Sequence, residues 1–472
     1  IVHTVVVFPE VAVPGLEFWP DELKNYWDWC WDSNEFPYTQ AEIKAMFDKL
    51  RAANIARIED ATITEFLPGI KDTRYVNGKP QVDEGLLGDC KGFYLSQAGD
   101  GSSILSLVSF NMGEQGKIGV STVVGRPGAV YASQDSLYIV ERHYANQMNS
   151  WYFDESQGIE EASTVHKFAL NKDSIETEYR ASGAVKGRVL NQFSMDEKDG
   201  FLRMATTSGH VPSPDVYSTL AVLKETQGEM AVVGMVDHIA PTEDIRSARF
   251  NGDVGFIVTF KKTDPLFVLD LSDPYYPKIK GELKIPGYST YMHVLDANHI
   301  LAIGYDADDQ GSFAWFQGIQ LQIFDVTELE NPKLIHKEVI GTRGTTSDAA
   351  TDHLAFTYFR ARELLAVPIV ICEGGSGGGS YGTQMTFTGL QVYKANVSDG
   401  FELMGGIPHA PPDSGENACG NWWTNSNSQV KRSVFMSDDQ DDWVYSVALD
   451  KIQVSNLKDL EHPVASVHLV AD

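Results

Sequence analysis

Three segments of this chain share one pattern: a strand-like apolar run ends in Asp or Asn, and a proline follows seven residues later. They are LFVLDLSDPYYPKIKGELKI (Leu266 to Ile285), LQIFDVTELENPKLIHKEVI (Leu321 to Ile340) and IQVSNLKDLEHPVASVHLV (Ile452 to Val470). The pairs are Asp270 and Pro277, Asp325 and Pro332, and Asn456 and Pro463. Weaker copies put Asn111, Ala169, Lys224 and Lys394 at the equivalent place, so the seven positions are spaced 58, 55, 46, 55, 69 and 62 residues apart. A unit of about 57 residues exceeds a helical solenoid repeat and approaches a four-stranded propeller blade. The spacing therefore predicts an all-β fold: a seven-bladed β-propeller of four-stranded antiparallel blades, preceded by a short helix-containing cap.

Hairpin turns support the blades. RSARFNGDVGFIVTF places Asn251-Gly252-Asp253 between two alternating apolar runs, and NQFSMDEKDGFLRMATTS does the same with Lys198-Asp199-Gly200. Residues 1–85 lack the repeat and are read as an N-terminal cap, with the propeller over 86–472. Within the cap, Thr39 and Glu42 form a capping box, and Ile43, Met46, Phe47 and Leu50 share one face, predicting a helix over 40–53. Trp27, Trp29 and Trp31 recur at period two, the spacing of a strand packing one aromatic face.

The 472 residues are 43% hydrophobic and 11% aromatic, enough to fill packed sheets. Lys and Arg total 37 against 65 Asp and Glu, a net charge of −28. That balance excludes nucleic acid and anionic membrane as expected partners, since both need a basic face. It suits an extracellular protein, a cation binder, or both. No apolar run is long enough to span a membrane, and a signal peptide is read as absent or removed. Cys30, Cys90, Cys372 and Cys419 form no C-x-x-C, so disulfides are favoured over zinc; of the three connectivities, Cys30–Cys90 with Cys372–Cys419 is the expected one. Asn396-Val397-Ser398 is a glycosylation sequon.

Asn191–Thr207, Arg249–His293 and Thr351–Phe356 resemble a bacterial family of secreted β-propeller proteins distantly related to WD40 repeats. The resemblance runs from about Val123 to the C-terminus and is weaker over 86–122. The family's GVDEPDIVKTDG-like opening segment has no counterpart here. The resemblance implies the propeller fold and assigns no activity, because fold does not supply function.

Candidate chemistry sits in the turns and first strands. Asp306, Asp308 and Gln310, with Gly311 behind them, follow the start of a calcium loop, where spaced oxygen ligands sit on a tight turn. The later ligand positions of such a loop hold Ala314 and Gln317. Ser437 to Asp442 is a second acidic turn, and Asp237, His238, Glu243 and Asp244 form a further Asp/His/Glu group. Gly374 to Gly378 matches G-x-S-x-G, but glycines follow where a nucleophile elbow needs a helix. Aligning the first blade strands on their turns brings Ser194, Arg249 and His293 into one register, with His353 and Arg432 near it. Such a ring at the channel mouth suits an anionic group or a metal.

The expected function is an extracellular, non-enzymatic scaffold binding a protein, glycan or cation through its face loops, with protein or glycan partners at the cell surface. The alternative is a hydrolase, metal-assisted or not, with its site at the channel mouth.

Overall fold

The recurring Asp or Asn closes a turn. Asp270 Oδ1 accepts from the Ser272 amide at 3.0 Å, Asp325 Oδ1 from the Thr327 amide at 2.9 Å, and Asn456 Oδ1 from the Lys458 amide at 2.9 Å. Asn111 does the same toward the Gly113 amide. Each side chain substitutes for a backbone acceptor and ends its strand, which explains the residue type. In two weaker copies the turn-forming residue lies two positions beyond the one aligned from sequence: Asn171 beyond Ala169, and Asn396 beyond Lys394. Asn396 is 7% exposed and accepts from the Ser398 and Asp399 amides, so the sequon asparagine is committed to its own turn.

The computed structural model describes residues 1–9, 13–24, 38–65, 67–88, 92–95, 101, 103–114, 116–144, 161–260, 264–309, 314–375, 379–409, 419, 429–438 and 441–469. The chain divides into two compact units, Ile1–Gly158 with Thr164–Ser182, and Ile159–Ser163 with Gly183–Asp472.

In the first unit, Val2–Phe8, Ile104–Phe110, Ile118–Val124 and Phe93–Leu95 form one sheet in that order. Val2–Phe8, from the segment read as a cap, pairs antiparallel with Ile104–Phe110. Leu105, Leu107, Val123, Leu137, Ile139 and Phe168 form the core. The expected helix is present and longer than predicted, Gln40–Asp60, with both halves of the Thr39/Glu42 capping box made. Its apolar face meets the preceding segment, where Phe47 packs edge-on against Trp19 at 5.5 Å and Arg57 Nε donates to the Pro14 carbonyl. Gly69–Val76 and Lys79–Leu86 form a separate hairpin around Asn77-Gly78, both at positive φ, as a tight hairpin turn requires. Pro127–Ala132, Ser136–Tyr144, Glu161–Ala169 and Glu178–Lys186 are neighbouring strands in that order.

The second unit repeats one plan. Its four-stranded antiparallel sheets include Asp244–Asn251, Val254–Phe260, Asp264–Asp270 and Lys278–Ile285, then Tyr288–Val294, His299–Asp309, Ala314–Asp325 and Lys333–Ile340. Thr357–Phe359, Leu364–Glu373, Gln384–Asn396 and Gly400–Pro408 make another, and Val430–Ser437, Asp442–Ala448, Lys451–Asn456 and Ala465–His468 the last. Middle strands such as Leu364–Glu373 are apolar and buried on both faces, as packing between two sheets demands.

The proline marks a seam between sheets. A methyl group placed on Gly281, in a fourth strand, would collide with the Leu329 carbonyl oxygen and lie 2.9 Å from Pro332 Cδ in the next sheet's turn. Gly234 meets the Pro274 carbonyl and Pro277 in the same way, and Gly405 faces Leu460. At the corresponding place His336 replaces glycine, and its Nε2 lies 2.8 Å from the Val397 carbonyl oxygen. All four residues sit at a β-bulge, where Val268 opposite Gly281 gives way to Leu269 opposite Ile279, for example. The bulge turns the fourth strand and opens the space into which the next turn fits.

Candidate functional site

One cluster in the second unit gathers side chains from three first strands and two short turns. Asn191 caps the turn Gln192–Ser194 by accepting from the Phe193 amide at 3.0 Å, and Asp352 caps His353–Ala355 by accepting from the Leu354 amide at 3.0 Å. The first turn lies against Asp244–Asn251, and that strand lies against Tyr288–Val294. Period-two alternation puts Tyr291 and His293 on one face.

Phe193 is at the centre. Its ring lies 4.9 Å from His353 and 5.3 Å from Tyr291, and the Arg249 guanidinium stands 4.7 Å above it. Tyr291 contacts Phe356 at 5.0 Å, while His293 contacts Phe356 at 5.6 Å and Tyr358 at 5.4 Å. The Tyr291 hydroxyl is 3.4 Å from His293 Nδ1, and Gln192 Nε2 is 3.3 Å from His353 Nε2. Burial, reinforced by the Arg249 and Arg360 charges, holds His293 down at about 4, so it is neutral at pH 7. Burial pushes the Tyr291 hydroxyl up.

Of the five residues picked from register, Arg249, His293 and His353 therefore join one network. Arg432 reaches it indirectly, through an ion pair to Asp352 at 2.8 Å. Ser194 is adjacent in sequence but 0% exposed, with its hydroxyl unpartnered among the described residues. The register missed Phe193, Tyr291, Phe356, Tyr358 and Arg360. The signal for the aromatic four was the recurrence of aromatic residues beside the aligned positions, in NQFS, YMH and LAFTYF.

The acidic groups are occupied by protein donors. Asp306 pairs with Lys337 at 2.6 Å, and Asp308 accepts from Gln317 Nε2 at 2.8 Å; Gln310 lies outside the described residues. Asp237 receives Lys186 and Thr219, Glu243 receives Thr259, Asp244 meets Arg246, and His238 stacks on Tyr217 at 4.2 Å. In the second acidic turn, Asp441 binds Lys458 and Asp442 binds Arg362. Among the described residues, no group of three or more His, Cys, Asp or Glu is placed to hold a metal ion. Cys372–Cys419 is a disulfide, as expected; Cys30 and Cys90 lie outside the described residues, as do Trp27, Trp29, Trp31 and Ser376.

The first unit holds a cluster that the sequence reading did not anticipate. Glu141 is 0% exposed, and its Oε2 lies 3.6 Å from His143 Nε2 and 3.4 Å from His166 Nε2. His143 Nε2 is also 2.8 Å from Thr164 Oγ1, and His166 Nδ1 is 2.9 Å from the Tyr179 hydroxyl. Both Glu141 carboxylate oxygens are buried without a hydrogen bond among the described residues, so the two imidazoles are its nearest polar neighbours across 3.4–3.6 Å. The Glu-x-His spacing hinted at a shared face, but His166 comes from another strand.

A family model described as a beta propeller domain matches residues 39–460. An uncharacterised protein of Archaeoglobus fulgidus is 38% identical over 224 residues, 48% of this chain and 32% of that protein. An uncharacterised protein of Methanocaldococcus jannaschii is 37% identical over 199 residues, 42% of this chain and 30% of that protein. The matched part thus spans about a third of each relative's own length.

Proposed function

The chain belongs to the beta propeller domain family, and on that premise we propose that it is a non-enzymatic, seven-bladed extracellular scaffold that docks a protein partner. The observation that carries the reading is the convergence of Phe193, Tyr291, His293, His353, Phe356 and Tyr358, most of them half-buried, beside Leu354 at 58% exposure. Clustered aromatic and arginine side chains around a partly desolvated centre are the composition of a binding hot spot. The extracellular placement is supported by the Cys372–Cys419 bridge and the acidic surface. Among the described residues no helix is long and apolar enough to cross a membrane. Calcium enters this proposal as a ligand that would replace Lys337 on Asp306.

A photo-crosslinking residue placed at Leu354 of the full chain, expressed in its own cells, tests the docking reading. The expected result is a discrete protein adduct that disappears in Tyr291→Ala and does not form from position 276, where Tyr276 is 77% exposed on an outer turn. The same adducts from both positions, or none from 354, would refute it. Glycan-array binding lost in Tyr291→Ala would reassign the cluster to a carbohydrate ligand.

A further inference from the structure

Several other arginines of the second unit have a carboxylate. Arg246 meets Asp244 at 3.1 Å, Arg188 meets Glu161 at 2.9 Å, Arg203 pairs with Asp196, and Arg432 with Asp352. Arg249 has none among the described residues, although it is half-buried and sits on the Phe193 ring. Arg360 has none either, and it stands close enough to His293 to act on its charge, as Arg249 does. A guanidinium shielded from water on one face and left without an acceptor is a fork prepared for a planar anion.

The geometry points to a single carboxylate with an apolar flank as the group this cluster takes, Arg249 receiving the charge and the Phe193 and Tyr291 rings receiving the flank. This identification rests on the docking reading above and gives it a chemistry. His293 adds no positive charge at pH 7, so the attraction comes from the two arginines. A cleft of about 380 Å³ lies on the Arg360 side of the cluster, lined by Tyr358 and Arg360 but also by Asp296, Glu363 and Asp399. Asp296 is held by His299 and the Asn298 amide, and Asp399 by Asn396. Those carboxylates repel any anion that enters the cleft itself, which confines the bound charge to Arg249, and a net charge of −28 repels polyanions at longer range. One carboxylate fits; a phosphate cluster or acidic polymer does not.

Titration calorimetry of the full chain with N-acetyl-L-phenylalanine, its amide, and acetate separates the contributions. The acid is expected to bind about 10-fold or more tighter than either relative, because charge-assisted hydrogen bonds and ring burial are each lost once. Arg249→Gln should abolish the preference for acid over amide, and Arg249→Lys should restore only part of it. Arg360→Gln, at an exposed position that does not endanger folding, should weaken the acid and leave the amide unchanged. Equal binding of acid and amide, or a preference unaltered in both arginine variants, would overturn the inference. Failure of the acid to bind at millimolar concentration, with the Leu354 adduct intact, would overturn it while leaving the docking reading standing. Loss of both results would remove both.

Discussion

Gly281→Ala probes the seam between sheets. Gly281 does not adopt the left-handed conformation, so alanine is not strained there and should gain about 0.5–1 kcal/mol from reduced backbone freedom in the unfolded chain. Against that gain, its methyl would collide with the Leu329 carbonyl and press on Pro332 Cδ at 2.9 Å. Both belong to the neighbouring sheet's turn, whose backbone cannot yield as a flexible side chain would. Overpacking of this kind costs about 1–3 kcal/mol, leaving a net loss of up to about 2.5 kcal/mol. At about 2–4 °C per kcal/mol, that lowers the melting temperature by up to about 10 °C. Differential scanning fluorimetry of Gly281→Ala and of Gly234→Ala, which meets Pro274 and Pro277 alike, measures it. Gly85→Ala is the control, since a methyl there meets nothing within 4 Å, and it should melt at or slightly above the wild type. Gly281→Ala melting with the control would refute the account of the glycine and proline as facing halves of one joint.

Two further predictions concern stability. His293 and His409 are both held down at about 4, mainly by burial, so the unfolded chain binds protons that the folded chain refuses between pH 6.5 and 4. Their contribution is therefore complete above pH 6.5 and is lost as pH falls toward 4; after discounting partial exposure, about 1 kcal/mol per histidine should disappear between pH 7.5 and 5. Urea unfolding of His293→Gln should show a shallower pH slope than wild type, and an identical slope would refute the assignment. Removing the Cys372–Cys419 bridge by Cys372→Ser releases a loop with a sequence separation of 47, worth up to about 4 kcal/mol of unfolded-chain entropy. A fall in the urea midpoint is expected, and an unchanged midpoint under oxidising conditions would show that the bridge does not stabilise the fold.

Much of the architecture was legible because it depends on contacts only a few residues apart in sequence. The Asx turn, the hairpin glycines and the Thr39 capping box each satisfy a local backbone group, so composition reports them directly. The proline was legible as a recurrence but not as a seam, since its partner glycine lies in the preceding sheet: Gly234 for Pro277, Gly281 for Pro332. Register from the turns found Arg249 and His293, which occupy equivalent first-strand positions, and aligned with them Ser194, whose hydroxyl is buried without a hydrogen bond among the described residues.

What the chain determined by itself was its period: strand, Asx turn, proline and strand, together with the charge balance and the cysteines available for pairing. Tertiary structure alone decided which side chains meet. Asp306 found Lys337 across 31 residues, Glu141 found His166 from another strand, and Phe193 met Tyr291 from a first strand and His353 from a separate turn. The physical reason is that each of these contacts depends on strand register, bulge position and sheet stacking at once. A shift of one residue in a strand sends every side chain to the opposite face.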